Sequence, residues 1–183
     1  ITTTLIDFSA FFYADLNDDQ NKDIIIGSSQ TTGEIAWFAG DGLGNFGPQN
    51  VILPADNING VHSIYASDVD GVDGLDVLAG GNFNGGGAWH LNDGLGNFVS
   101  GIPFRGVSPP GGTKIHISAA DINGDGHQDV IQASEGSFGE IAWYPNDASG
   151  LPFGNGPDLN DMVESIPVGE WLENQETTII KPM

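Results

Sequence analysis

The chain has 183 residues, with 4 Lys+Arg against 25 Asp+Glu, a net charge of −21, 28 Gly, 10 Pro and no Cys. So much acid excludes a nucleic-acid or anionic-membrane surface, which needs a basic face, and the missing Cys excludes disulfides, thiolate zinc sites and thiol nucleophiles. A hydrophobic content of 39% is too high for disorder, yet no apolar run approaches the roughly 20 residues that a membrane helix needs.

In chain order, the lead Ile1–Asp7 runs into Phe8-Ser-Ala-Phe-Phe-Tyr13, a predicted strand. Next comes Ala14-Asp15-Leu16-Asn17, which recurs as Ser67-Asp68-Val69-Asp70 and Ala120-Asp121-Ile122-Asn123, with the aspartates spaced 53 and 53. A second marker, Ile35-Ala36-Trp37-Phe38, returns as Gly87-Ala88-Trp89-His90 and Ile141-Ala142-Trp143-Tyr144, the tryptophans spaced 52 and 54. A third, Asp41-Gly-Leu-Gly-Asn-Phe46, repeats letter for letter as Asp93-Gly-Leu-Gly-Asn-Phe98 and returns degraded over Asn146–Phe153. One order and nearly one period make this a three-fold repeat of about 53 residues.

The second repeat shows the strand pattern most clearly. His62–Ser67 alternates, Asp76–Gly80 is a short apolar run, Gly86–Leu91 follows, and Phe98–Phe104 comes after the Asp93–Asn97 turn. Gly-Leu-Gly-Asn supplies positive-φ positions for a hairpin. No segment holds a 3.6-residue period through three turns, so little or no helix is expected. Four antiparallel strands per repeat, radially arranged, make an all-β chain of β-propeller blades. The boundaries predicted are a lead strand and blade one over 1–60, blade two over 61–113, blade three over 114–168, and a tail over 169–183. Met162–Val168 is the expected last strand of blade three. Thr177–Pro182 is a β-prone run without a sheet of its own, a candidate donor strand.

The acids cluster in a specific pattern. In Asp121-Ile-Asn123-Gly-Asp125-Gly126-His127-Gln-Asp129, carboxylates or amides occupy positions 1, 3, 5 and 9, with Gly at 6. Alternate residues of a tight loop can aim oxygens at one centre, and position 7 can add its carbonyl, which suits a hard cation of Ca2+ size. The first loop keeps Asp15, Asn17, Asp19 and Asp23 but has Gln20 at the Gly position. The second has Val72 at position 5 and Asp73 at position 6, a rearranged cage. No Glu follows at position 12 and no helices flank the loops, so these are not EF-hands.

The loop between two strands, the Ile-Ala-Trp strand and the Asn-Asp-Gly-x-Gly-Asn-Phe turn together resemble the FG-GAP/VCBS-type repeat, over about residues 8–155. That resemblance implies a β-propeller of the kind found in integrin α-subunit heads, with Ca2+ between the first two strands of each blade, in adhesion, carbohydrate contact or surface scaffolding. Carried over by position, the implied ligands are Asp121, Asn123, Asp125, the His127 carbonyl and Asp129 in the third loop. In the first they are Asp15, Asn17, Asp19, the Asn21 carbonyl and Asp23. In the second, Asp68, Asp70 and Asp76 transfer, with Asp73 as a substitute. Up to three Ca2+ are expected, the third loop being the most secure site and the second the least.

Other features read as structural. Trp37, Trp89 and Trp143 are packing between blades or else a sugar platform. His62, His90, His116 and His127 share no metal-binding spacing, the paired acids lie almost entirely in the loops, and no Ser has a nucleophile-elbow context. No catalytic constellation emerges, and the chain is expected not to be an enzyme. It starts at Ile1, read as a processed or excised chain, secreted to the cell surface or beyond with its signal peptide removed.

Three blades form an incomplete ring, since closed propellers have at least four. Covering an open blade face is worth on the order of 10 kcal/mol, so wet faces are not expected to persist. The reading is a secreted, calcium-stabilised structural subunit that self-assembles through blade faces and terminal strands, into an oligomer or an extracellular filament. The other reading is an adhesion, glycan- or protein-binding module from a larger propeller protein. A fragment or a compact three-blade monomer are the remaining alternatives.

Overall fold

The computed structural model describes residues 7–30, 33–52, 59–82, 86–99, 101–105, 114–135, 140–146 and 164–167. Every regular element in them is a strand, and the strands fall into three four-stranded antiparallel sheets in meander order. Blade one is β1 (Phe8–Ala14), β2 (Asp23–Ser28), β3 (Ile35–Gly40) and β4 (Phe46–Ile52). Blade two is β5 (Asn59–Ser67), β6 (Asp76–Asn82), β7 (Gly86–His90) and β8 (Ile102–Arg105), and blade three is β9 (Ile115–Ala120), β10 (Asp129–Ser134), β11 (Glu140–Tyr144) and β12 (Glu164–Pro167). The Thr177–Pro182 run, a donor-strand candidate by sequence, lies outside the described residues.

Each acidic loop joins the first two strands of its blade, and each Asp-Gly-Leu-Gly-Asn turn leads out of the third strand toward the fourth. In both turns the backbone closes on itself, with the Asp41 and Asp93 N–H groups donating to the Asn45 and Asn97 carbonyls at 3.1 and 3.2 Å. Gly42, Gly44, Gly94 and Gly96 all take positive φ there, which an L side chain adopts only at a cost. Blade two departs from the strand expected over Phe98–Phe104. Phe98 makes an isolated bridge to Asn92 and the ladder resumes only at Ile102.

Strand alternation gives each blade two faces, and the blades stack face to face. Phe12, Ile25 and Trp37 are cross-strand neighbours in blade one. They pack in one cluster with Val61, Ile64, Ala66, Val77, Ala79 and Ala88 of blade two. Tyr65, Leu78 and Trp89 on the opposite face of blade two pack with Ile117, Ala119, Val130 and Tyr144 of blade three. These two core clusters are therefore seams between consecutive blades, and Trp37 and Trp89 are seam packing; a third cluster, Ala36 and Phe38 with Ile26 and Phe46, lies on the opposite face of blade one. The turn of blade two closes over Trp37, since a Cβ on Gly96 would sit 2.5 Å from its ring. The matching glycine of blade one, Gly44, meets nothing within 4 Å.

Candidate metal centres and the seams between blades

The three acidic loops share one backbone. Positions 4 and 6 have positive φ in every loop, at Asp18 and Gln20, Gly71 and Asp73, and Gly124 and Gly126. Only the third loop meets this demand with glycine twice. Gln20 stands at φ 69 where Gly126 stands at φ 94, so the first loop carries the strain of a side chain in the left-handed region.

The ninth-position aspartates are fully buried in all three loops. Asp23, Asp76 and Asp129 each accept, on one oxygen, the N–H of the loop's second residue: Leu16 at 2.8 Å, Val69 at 3.1 Å and Ile122 at 3.0 Å. The other oxygen accepts an N–H at the end of the third strand or just past it, from Gly40 at 2.9 Å, Asn92 at 3.0 Å and Asn146 at 2.7 Å. Each carboxylate thus ties its loop to the end of the third strand while keeping lone pairs for a cation. Burial pushes the Asp76 carboxyl up to about 6, aided by the nearby charge of Asp70 and opposed by the Asn92 and Val69 N–H groups. Burial also raises Asp23, with Asp19 and Asp15 adding repulsion.

The remaining loop residues divide. In the second loop Asp68, Asp70 and Asp76 bring one carboxylate oxygen each within 4.8 Å of one another. Among the described residues that is the one group of three acidic or imidazole side chains gathered so closely. Asp73 stands outside it, and Val72 is exposed. In all three loops the carboxylates also cap backbone N–H groups, and in the second Asp68 accepts from Gly71 at 2.7 Å and Asp70 from Val72 at 2.9 Å. Asp15 accepts from Asp19 and Gln20 at 3.2 and 2.7 Å, and Asp121 from Gly124 and Gly126 at 2.7 and 3.0 Å. Asp19 accepts from Asn21 at 2.8 Å and Asp125 from His127 at 2.9 Å, while Asn17 and Asn123 bond to the same two aspartates. The donor set in all three loops is oxygen alone, fitted to a hard cation rather than to zinc or copper.

The seams hold further residues that the sequence motifs do not single out. Asn92, nearly buried, donates from Nδ2 to the Leu16 carbonyl of blade one at 2.8 Å and to its own blade's Leu75 carbonyl at 2.9 Å. Asn146 repeats the contact, donating to the Val69 carbonyl of blade two at 2.7 Å and to the Gln128 carbonyl at 3.2 Å. Each amide latches its blade onto the acidic loop of the preceding one. Blade one has Gly40 at this position, and a Cβ there would fall 2.1 Å from the Lys22 carbonyl oxygen. The signal for the latch in the sequence is the Asn-Asp pair ahead of each later turn against Gly-Asp ahead of the first. Apart from His127 in the third loop, the histidines lie outside the acidic loops. His90 is buried, and His116 pairs with Glu135 at 3.0 Å.

Stacked four-stranded meanders with acidic loops between their first two strands define a propeller-type repeat protein. Residues 68–132, from the second acidic loop into β10, match the FG-GAP-like repeat family. Repeats of this family often bind calcium, are typically extracellular and are generally non-enzymatic. No curated relative matches the chain at a significant level. Among the described residues no helix is long and apolar enough to cross a membrane.

Proposed function

We propose that the chain is an extracellular, calcium-stabilised structural module of the propeller type that assembles with copies of itself to cover its open blade faces. The observation that carries this reading is the outer face of blade one. Phe8, Phe11 and Tyr13 are 55, 76 and 64% exposed, and Val51 is exposed beside them. At the matching positions, blades two and three bury Ile64 and Ala66, and Ile117 and Ala119, against the blade before. The β1 and β4 sides of this face are interior by chemistry and surface by position, while Ala36 and Phe38 between them are buried. Large apolar side chains clustered in the open in this way mark an interaction site.

Calcium enters as the stabiliser. It would be held by Asp68, Asp70 and Asp76 in the second loop, and by Asp15, Asn17, Asp19 and Asp23 and Asp121, Asn123, Asp125 and Asp129 in the others, with the Asn21 and His127 carbonyls. Bound there, the cation supplies charge neutralisation among carboxylates that otherwise repel one another. Light scattering of the purified chain with and without Ca2+ tests the proposal, and an oligomer or fibre is expected. A monomer of 19.2 kDa at every concentration refutes it.

A second reading, adhesion to a glycan or surface protein, is favoured by Leu43 and Leu95. These equivalent residues stand exposed at the tips of the two repeated turns. A glycan array probed in Ca2+ tests that reading, and an empty array counts against it.

A further inference from the structure

In blades one and two the acidic loop and the Asp-Gly-Leu-Gly-Asn turn lie at the same end, because the first and third connections of an antiparallel meander share a side. Loop and turn touch there. A Cβ on Gly94 would fall 2.7 Å from the Asp73 carbonyl oxygen, and one on Gly42 would fall 2.4 Å from Asn21 Oδ1. The turn of blade two also closes over Trp37 of blade one, so the two turns are neighbours at roughly the 10 Å spacing of stacked sheets.

At the tip of each turn stands a leucine that belongs to none of the core clusters. Leu43 is 86% and Leu95 71% exposed, and each sits between two glycines that supply the positive φ values. The backbone therefore asks nothing apolar of that position. Each leucine is nonetheless held in place. Asp41 Oδ1 accepts the Leu43 and Asn45 N–H groups at 2.8 and 3.0 Å, and its Oδ2 accepts the Asn45 side-chain amide at 2.7 Å. Asp93 holds Leu95 and Asn97 in the same way, at 2.9, 3.2 and 2.8 Å. The Asn45 and Asn97 amides keep the two carboxyls below their ordinary range, so both turns carry charge beside the leucine. Val72, one residue from the Asp73 contact, is exposed as well. Aliphatic side chains fixed in the open by a rigid turn give a partner contact area at little cost in ordering.

The charge around the leucines selects that partner. Ten unburied aspartates, eight in the three loops and two in the turns, stand at this end against one base, Lys22. With the three buried ones the end holds thirteen, so even three bound Ca2+ leave it negative. An anionic lipid surface is repelled. The stretches 147–163 and 168–183 of the chain itself carry six acids against Lys181, and so are no electrostatic match. Leucine offers no ring face for a sugar, and Trp37 and Trp89 are buried.

We infer that this end docks a segment of a partner protein in which basic and aliphatic residues are interleaved, the aliphatic side chains covering Leu43 and Leu95 and the basic ones meeting the aspartates of the turns and loops. This rests on the adhesion reading above and names the partner's chemistry and the docking site. Charge complementarity steers the encounter, and the leucines are the anchors.

The test uses the full chain in Ca2+ and a short, labelled Lys-Leu repeat peptide, followed by fluorescence anisotropy, with Lys-Ser and Glu-Leu peptides of the same length as controls. The Lys-Leu peptide is expected to bind at least about tenfold more tightly than either control, and more weakly as salt rises. In the chain carrying both Leu43→Ser and Leu95→Ser the affinity should fall about tenfold, while Val51→Ser, exposed on β4 away from the turns, should leave it unchanged; circular dichroism verifies that each variant keeps its β spectrum. Equal binding of Lys-Leu and Lys-Ser, or a double variant that binds like wild type, would overturn the inference and reduce the acids to a diffuse charged surface. Capture of phosphatidylserine vesicles that the double variant loses, without a preference for Lys-Leu, would assign the leucines to a membrane and overturn it too. Leucine-dependent binding on a glycan array without binding of Lys-Leu would overturn the inference and leave adhesion standing. A chain that binds none of these probes removes both.

Discussion

Replacing Asn92 tests whether the seams are held by the latch or by packing alone. In Asn92→Ala the Leu16 and Leu75 carbonyls lose their amide donor, and the Gly94 and Gly96 N–H groups lose the Oδ1 acceptor that both reach at 3.2 Å. The Leu16 bond is buried and the other three are partly buried. One orphaned buried carbonyl costs about 1–3 kcal/mol, and the three partly hydrated bonds cost about 0.5 kcal/mol each, the low end for a single hydrogen bond, for a total of about 3 kcal/mol. For a chain of this length that lowers Tm by about 6–12 °C. Asn92→Asp has the same shape and keeps Oδ1 for the two glycines. It turns the donor into an acceptor facing two carbonyls, and it sets a second carboxylate near Asp76. Its loss should therefore equal or exceed that of the alanine variant. Thermal unfolding followed by far-ultraviolet circular dichroism, with calcium held fixed, reads both. An Asn92→Asp chain that melts within about 2 °C of wild type, a shift worth less than one hydrogen bond, would refute the latch.

Chelation should lower Tm by many degrees and added Ca2+ should restore it, because a ligand of the folded state stabilises by mass action; an unchanged melting curve would reduce the loops to turns. Calorimetric titration of Asp70→Asn should show weaker Ca2+ binding than Asp73→Asn, since Asp70 belongs to the converging group and Asp73 does not. Gln20→Gly relieves a side chain at φ 69 and should raise stability by about 1 kcal/mol; chemical denaturation measures it, and a loss would show that the Gln20 side chain matters more than its backbone. Burial holds the His90 imidazole down to about 4, against about 6.5 when unfolded. As pH falls the unfolded chain takes up the proton first. The ring's contribution is therefore full above pH 6.5 and is lost between 6.5 and 4, to a total of about 3 kcal/mol. His90→Phe, the residue type of Phe38 in blade one, should flatten that part of the pH–stability curve, and an unaltered slope would assign the acid sensitivity elsewhere.

Much of this architecture is legible in the sequence. The three markers define the repeat, because each answers a local demand: oxygens around a loop, a flat aromatic strand, and glycines at positive φ. Such demands involve residues within a few positions of one another, so they leave a local pattern. What the loops do with their carboxylates is less visible. From spacing, the third loop looks the most complete. In the structure it is the second that gathers three carboxylates, because Asp70 stands where Asn17 and Asn123 stand in the others. The buried role of Asp23, Asp76 and Asp129 as ties between loop and third strand is also hidden, since their partners lie 16 or 17 residues away.

By itself the sequence determined the all-β class, the 53-residue period, the turns and the oxygen-rich loops, all of them set by neighbours along the chain. Only the tertiary structure decided which face of each blade is covered, because that depends on contacts across more than 50 residues. The amide of Asn92 meets the carbonyl of Leu16, 76 positions away, and nothing near either residue announces the other. The same holds for the ends. Phe11 and Tyr13 read as ordinary strand residues until stacking shows that their counterparts are interior. The meaning of Gly40 likewise appears only when the two latches it lacks are seen side by side.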